Sequence, residues 1–214
     1  MNELQIQVVL LTKSAKYRKF CVAGVDVHTG EWVRLTSSDN NCHGAIDEKY
    51  LRCPDNTICN VLDLVAVSIA SYSPQNVQPE NYLIDERFRF KKIGKMTIND
   101  VIAIHPCEKH EHIFGNEYCS VKEQYIGEID HSLTLVSVSD LILTKHVNNS
   151  DQPKTKASFI YNSKQYNDLS VTDQDFFCIN GIVKYKHAYL VVSLPDSPYG
   201  DNHYYYKFIA KIFV

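Results

Sequence analysis

Four cations crowd a short stretch near the start of the chain: Lys13, Lys16, Arg18 and Lys19, with Tyr17 and Phe20 among them. Cations at this density neutralise phosphates, and an aromatic ring beside them gives a base something to stack on. A little further on, Trp32 (the only tryptophan) and Arg34 flank Val33, so a strand would place both on one face. That pairing suits a stacked base with its phosphate held alongside. The plain alternative is that Trp32 packs into the core and the lysines decorate a solvated loop. A second basic run, Arg87-Phe88-Arg89-Phe90-Lys91-Lys92, alternates so that Phe88 and Phe90 share one strand face and Arg87, Arg89 and Lys91 the other. It reads equally well as an edge strand whose outward charges prevent aggregation. Tyr204-Tyr205-Tyr206-Lys207 follows the loop Asp196-Ser197-Pro198-Tyr199-Gly200, and Tyr199 and Tyr204 are the candidates for exposed stacking rings. The other tyrosines are explained as half-buried strand residues.

His105, Cys107, His110, His112 and Cys119 offer metal-binding side chains, but their spacing lacks the paired close ligands of a structural zinc site. In a chain with nine histidines and seven cysteines such clusters arise by accident, so no metal and no cofactor is assigned. No catalytic residue is assigned either. The nucleophile-elbow, zinc-protease, phosphate-loop and dinucleotide motifs are all missing from the sequence. Asp26, Glu31, Asp63, Asp173 and Asp175 lie on or near expected strands, with nothing in the spacing to pair any two of them.

The elements that must carry these residues are mainly strands. Leu4 to Thr12 begins with an apolar alternation, Phe20 to Val27 and Glu31 to Thr36 follow around His28-Thr29-Gly30, and a short helix is expected near Ala45 to Leu51. Val61 to Ala70 is apolar on both faces, as a central strand would be, and Tyr82 to Phe90 completes a first set of five. Thr97, with Asp100 three residues on, signals a helix start. From Ser132 the strand pattern resumes. A long bent strand covers Leu133 to Leu143, Lys156 to Tyr161 and Gln165 to Val171 form a hairpin, and a short helix is expected from Thr172 through Phe177. Ala188 to Leu194 and Tyr204 to Val214 close the chain as strands. Three strands, a short helix and two strands therefore occur twice, the outline of an OB barrel. The expected organisation is all-β with minor helices: a first OB-type barrel at 1–96, a partly helical connector at 97–131 and a second five-stranded OB-type barrel at 132–214. A single β-sandwich of about ten strands is the competing architecture.

The whole-chain numbers narrow the function further. With 214 residues, a formal net charge of -3 and 22% charged residues, this is not a uniformly basic coat protein, so any nucleic-acid surface is a local patch. No apolar run reaches the ~20 residues that span a bilayer, and Met1-Asn2-Glu3-Leu4-Gln5 does not begin a signal peptide. The odd, scattered cysteines fit reduced thiols in a cytoplasmic protein.

Several short motifs resemble the dual OB-containing domain family of prokaryotes. They are Leu11-Thr12-Lys13-Ser14 with Lys16-Tyr17, Cys21-Val22-Ala23-Gly24-Val25-Asp26, and Thr29-Gly30-Glu31-Trp32-Val33-Arg34. Pro79-Glu80-Asn81, Ile113-Phe114-Gly115, Val171-Thr172-Asp173, Leu190-Val191-Val192-Ser193-Leu194 and Tyr206-Lys207-Phe208-Ile209-Ala210 extend the resemblance along the chain. The family often carries a proline after its Trp-(Val/Ile)-Arg motif, where this chain has Leu35. The resemblance implies paired OB folds, a nucleic-acid or nucleotide-like ligand and a place in prokaryotic conflict or defence systems. The combined expectation is a non-enzymatic module that binds single-stranded nucleic acid, DNA or RNA, or a nucleotide-like ligand. The alternative is an interaction subunit that docks a partner effector, and behind it stands a cryptic nuclease or hydrolase whose site is assembled from distant strands.

Overall fold

The computed structural model describes residues 4–16, 18–39, 43–75, 77–147 and 153–214. They fall into two units, the first comprising Met1–Pro74 with Glu80–Pro106 and the second Gln75–Pro79 with Cys107–Val214. Residues 97–131, expected as a connector, are thus shared out: those up to Pro106 fold with the first unit and the remainder with the second.

In the first unit the alternating N-terminal residues form β1 (Leu4–Lys16), which turns back into β2 (Lys19–Asp26) and then β3 (Trp32–Thr36). Asp26 makes the second turn, its Oδ1 accepting from the backbone amides of His28 and Thr29, and Gly30 leaves it with φ of 74°. After α1 (Glu48–Leu51) come β4 (Asp63–Tyr72), β5 (Asn81–Ile84), β6 (Lys91–Lys95) and α2 (Ile98–Ile104). β1 pairs with β2, β2 with β3, β3 in parallel with β5, β5 with β4, and β4 returns to β1, closing a five-stranded ring. β6 adds to β4 outside it. One long β1 serves both neighbours because it bends at a register shift between Leu10 and Thr12. Next to that bend the backbones run so close that a Cβ on Gly24 would stand 2.0 Å from the Val9 carbonyl oxygen.

The ring is filled by Val8, Leu10, Val22, Val33, Leu35, Val65, Val67 and Ile69, with Tyr50 and Leu51 of α1 joining the same cluster. β4 is the central strand its two apolar faces predict. The fifth strand, by contrast, ends at Ile84, and the following residues form a turn. Asp85 makes that turn, its Oδ1 accepting from Arg87 N (3.1 Å) while its carbonyl accepts from Phe88 N (3.0 Å). α2 begins with the full capping box expected from Thr97 and Asp100, each side chain bonded to the other's backbone amide.

The second unit repeats the connectivity. Its strands are β7 (Ser120–Lys122), β8 (Leu133–Val147), β9 (Pro153–Tyr161), β10 (Lys164–Val171), β11 (Ile182–Ser193), β12 (Tyr204–Tyr206) and β13 (Phe208–Phe213). β8, β9, β10, β13 and β11 form a closed barrel, with β10 and β13 parallel. β8 is the long bent strand expected, kinked where Asp140 takes φ of 51°. Asn162 and Ser163, at φ of 49° and 62°, make the tight β9–β10 hairpin with the backbone of a type I′ turn.

Two expectations are corrected. No helix runs from Thr172 to Phe177, where the backbone forms successive turns instead. The buried Asp173 carboxylate, which would have capped a helix, accepts from Lys211 Nζ (3.1 Å) and Ile212 N (2.9 Å) and ties the turn to β13. Tyr204 to Val214 is not one strand but two, split at Lys207. β12 leaves the barrel and pairs with β7 in a separate two-stranded sheet.

Candidate nucleic-acid interface

At the β1–β2 turn the cations are mostly engaged. Lys13 is half-buried, donating from Nζ to Cys59 O and Asn60 Oδ1 at 3.1 Å each and lying 5.1 Å from the Phe20 ring centre. Burial pushes its ammonium below the ordinary lysine value. Lys19 forms an ion pair with Asp39 at 2.7 Å. Arg18 stands exposed at the tip with φ of 61°. Lys16 lies at the end of β1, and Tyr17 lies outside the described residues.

Trp32 and Arg34 do share a face opposite the core residues Val33 and Leu35, but that face is covered, and each is 8% exposed. The Trp32 ring meets the edge of His105, the C-cap of α2, at 5.1 Å, and His105 Nδ1 is itself 2.8 Å from Gly30 O. A base therefore has no ring to stack on there, and Trp32 follows the packing alternative. Of the histidine–cysteine group, His105 belongs to the first unit and Cys107, His110, His112 and Cys119 to the second.

The second basic run makes a surface of a different kind from the expected strand. Its turn sends Phe90 into the core, 1% exposed, with its amide donating to Tyr50 O (2.9 Å), and leaves Phe88 41% exposed. Phe88, Arg87, Arg89 and Lys91 then line a hollow of about 520 Å³ whose remaining wall includes Gln5, Ala66 and Ser68 of β1 and β4. Arg87 grips Asp85 through both ends of its guanidinium and lies 5.5 Å from the Phe88 ring centre. The same grip holds the Asp85 carboxyl below its usual range. Among the described residues Arg89 and Lys91 have no ion pair, so two exposed cations flank an exposed ring. Sequence pattern alone assigns Phe88 to the buried face. The signal that places it outside is the Asp85 side chain, which bonds backbone two residues on.

In the second unit a larger pocket, about 890 Å³, opens between the 110–131 segment and β12. Its aromatic lining comes from Phe114, Tyr118, Tyr125 and Tyr204, together with His110 and His131. Tyr118 is 72% and Tyr125 48% exposed. β12 lies in the connection between the fourth and fifth strands of this barrel, a loop that flanks the ligand face in OB folds. Of the tyrosines singled out by sequence, Tyr204 lines the pocket. Tyr199 packs edge-on against Tyr206 at 6.1 Å, outside the lining.

The pocket wall is held by a buried lysine that the sequence does not mark as special. Phe114 takes φ of 51°, a strained value for a bulky residue, in the turn Ile113–Gly115. Lys207, 1% exposed, donates from Nζ to Ile113 O and Asn116 O at 2.6 Å and to Asn116 Oδ1 at 2.9 Å, while Tyr166 Oη accepts from Ile113 N at 3.0 Å. Burial pushes the Lys207 ammonium down to about 7. Asp173 and Asp175 do come together, but around Lys211, as a clamp on β13 rather than in a cleft.

No curated protein sequence matches the chain. Among solved structures, the tetrameric p202 HIN2 aligns over 100% of this chain and 96% of its own, at 10% identity and a TM-score of 0.32. The family model of the dual OB-containing domain matches residues 6–212, and with two barrels of identical strand order the chain belongs to the dual OB-containing domain family.

Proposed function

We propose that the chain binds single-stranded nucleic acid, with the phosphate backbone held in the hollow beside β4. The observation that carries this reading is the grouping of Arg89 and Lys91 with the exposed ring of Phe88 in one concave surface. Two exposed cations attract a polyanion even though the chain as a whole carries a formal charge of -3. A ring beside them stacks any base without selecting one, a contribution of about 1–3 kcal/mol. Arg87 adds less, because Asp85 already neutralises it.

The aromatic pocket of the second unit favours a second reading, a nucleotide-like ligand. Its rings offer flat apolar walls, and Lys122 lies among its lining residues to meet a phosphate.

Fluorescence anisotropy with labelled single-stranded DNA and RNA at two salt concentrations tests the first reading, with Phe88→Ala and Arg89→Gln/Lys91→Gln beside the wild type. Salt-sensitive binding that weakens in both variants is the expected result. Binding unchanged in both would remove the hollow from the reading. Absence of binding at low salt would leave its cations as guards of an exposed edge and direct attention to a protein partner. Isothermal titration with mononucleotides, wild type against Tyr118→Ala, separates the second reading.

A further inference from the structure

We propose that Glu108, His110 and His131 bind a divalent transition-metal ion, with zinc as the expected occupant, at the edge of the second unit's pocket. One ligand atom from each of the three lies within 4.8 Å of the others. His110 Nε2 is 3.1 Å from Glu108 Oε2, and the His110 and His131 rings stack at 4.7 Å, 17° from parallel.

The outer groups already have the arrangement that a metal-binding histidine needs. His131 Nδ1 is 2.7 Å from Asp130 Oδ1, so its proton is fixed on that nitrogen and the lone pair stays on Nε2. Nε2 is buried and has no hydrogen-bond partner among the described residues, so its lone pair is not engaged by another protein group. The Glu108 carboxylate is held by the fully buried Thr134, whose hydroxyl donates to Oε2, the same oxygen that faces His110. Histidine and carboxylate together suit zinc and its neighbours, whereas calcium and magnesium prefer all-oxygen sets.

Ligand atoms around a tetrahedral zinc stand about 3.3 Å apart. The cluster must therefore contract, and one imidazole must turn about its Cβ–Cγ bond so that the lone pairs converge. Three protein ligands leave a fourth position. Because His110 and His131 both line the pocket, that position opens toward whatever occupies it. This proposal is independent of the hollow beside β4.

The test is isothermal titration of the metal-stripped full chain with Zn²⁺. One equivalent is expected to bind. Asp130→Asn, which keeps all three ligands, is expected to weaken binding by about 10–100-fold, and His131→Gln by more. His28→Gln, in the first unit, is expected to leave it unchanged. Failure of the wild type to bind, or binding that His131→Gln leaves intact, overturns the proposal. Should His131→Gln not fold, nitrogen NMR of the wild type decides: the His131 Nε2 signal shifts on adding Zn²⁺ if the site is real, and a stationary signal overturns it.

Discussion

Replacing Lys207 with methionine tests whether the pocket wall rests on one buried ammonium. Methionine fills similar space and donates nothing. Removing the charge relieves a desolvation penalty: the fall of the lysine from 10.5 to about 7, at about 1.4 kcal/mol per unit, is on the order of 5 kcal/mol. Against this, Ile113 O, Asn116 O and Asn116 Oδ1 each lose a donor, at about 1–3 kcal/mol apiece. The left-handed Phe114, at φ of 51°, also loses the contacts that hold about 1–3 kcal/mol of strain in place. The losses win, and Lys207→Met should destabilise the second unit by about 2–3 kcal/mol at pH 7. The pH dependence is the sharper reading. With the folded value below the unfolded one, the unfolded chain binds the extra proton between about pH 7 and 10. Wild-type stability should therefore rise with pH through that window, while the variant lacks the rise and the gap between them widens. Urea denaturation at pH 7, 8 and 9 measures it, following near-ultraviolet tyrosine dichroism because Trp32 reports only the first unit. Equal stability at pH 7, or the same pH slope in both proteins, would refute the reasoning.

The remaining predictions are simpler. If single-stranded DNA lies in the hollow, Arg89→Gln/Lys91→Gln should lower the slope of log K against log salt by about 1.4, at about 0.7 per phosphate contact; an unchanged slope places the strand elsewhere. Gly24→Ala, whose Cβ would meet the Val9 carbonyl at 2.0 Å, should destabilise the first barrel by several kcal/mol in denaturant titration. Thr97→Ala should cost about 1 kcal/mol and speed amide exchange in the first turn of α2. In timed alkylation, exposed Cys178 should react first among the cysteines of the described residues and Cys59 only on unfolding, since burial and the neighbouring Cys53 thiol raise the Cys59 pKa far above its ordinary value.

Local rules of spacing and turn chemistry made much of the fold legible. The repeated three-plus-two strand order, the Thr97/Asp100 box and the Asn162-Ser163 hairpin each depend on residues within a few positions of one another, so the sequence displays them directly. The misread segments depend on distant partners. Asp173 looks like a helix cap until Lys211 and Ile212 claim its carboxylate. Trp32 looks available until the end of α2 places His105 against its ring. Arg87 to Phe90 alternates as a strand would, yet one side-chain bond from Asp85 turns Phe88 outward. The pocket was the least legible part, because 110–131 and β12 meet through long-range contacts of β7 and of the Glu123–Glu128 turn, and tyrosines in polar sequence carry no periodic signal.

The short segment Gln75–Pro79, encoded between β4 and β5 of the first barrel, gives the chain an order of assembly. Val77 belongs to the second unit's core, and Gln78 donates to Leu194 O at 3.1 Å across 116 residues. On the ribosome that segment emerges long before Leu194, so the Gln78 side chain must wait for this partner while most of the second unit is synthesised. The first barrel's strands are all made by then, but the bond from Gln78 to Leu194 can form only after the fourth strand of the second barrel has been made. A gene cut between Pro106 and Cys107 would accordingly deliver a second unit without Val77 and Gln78, and restoring them would require a splice rather than a simple truncation.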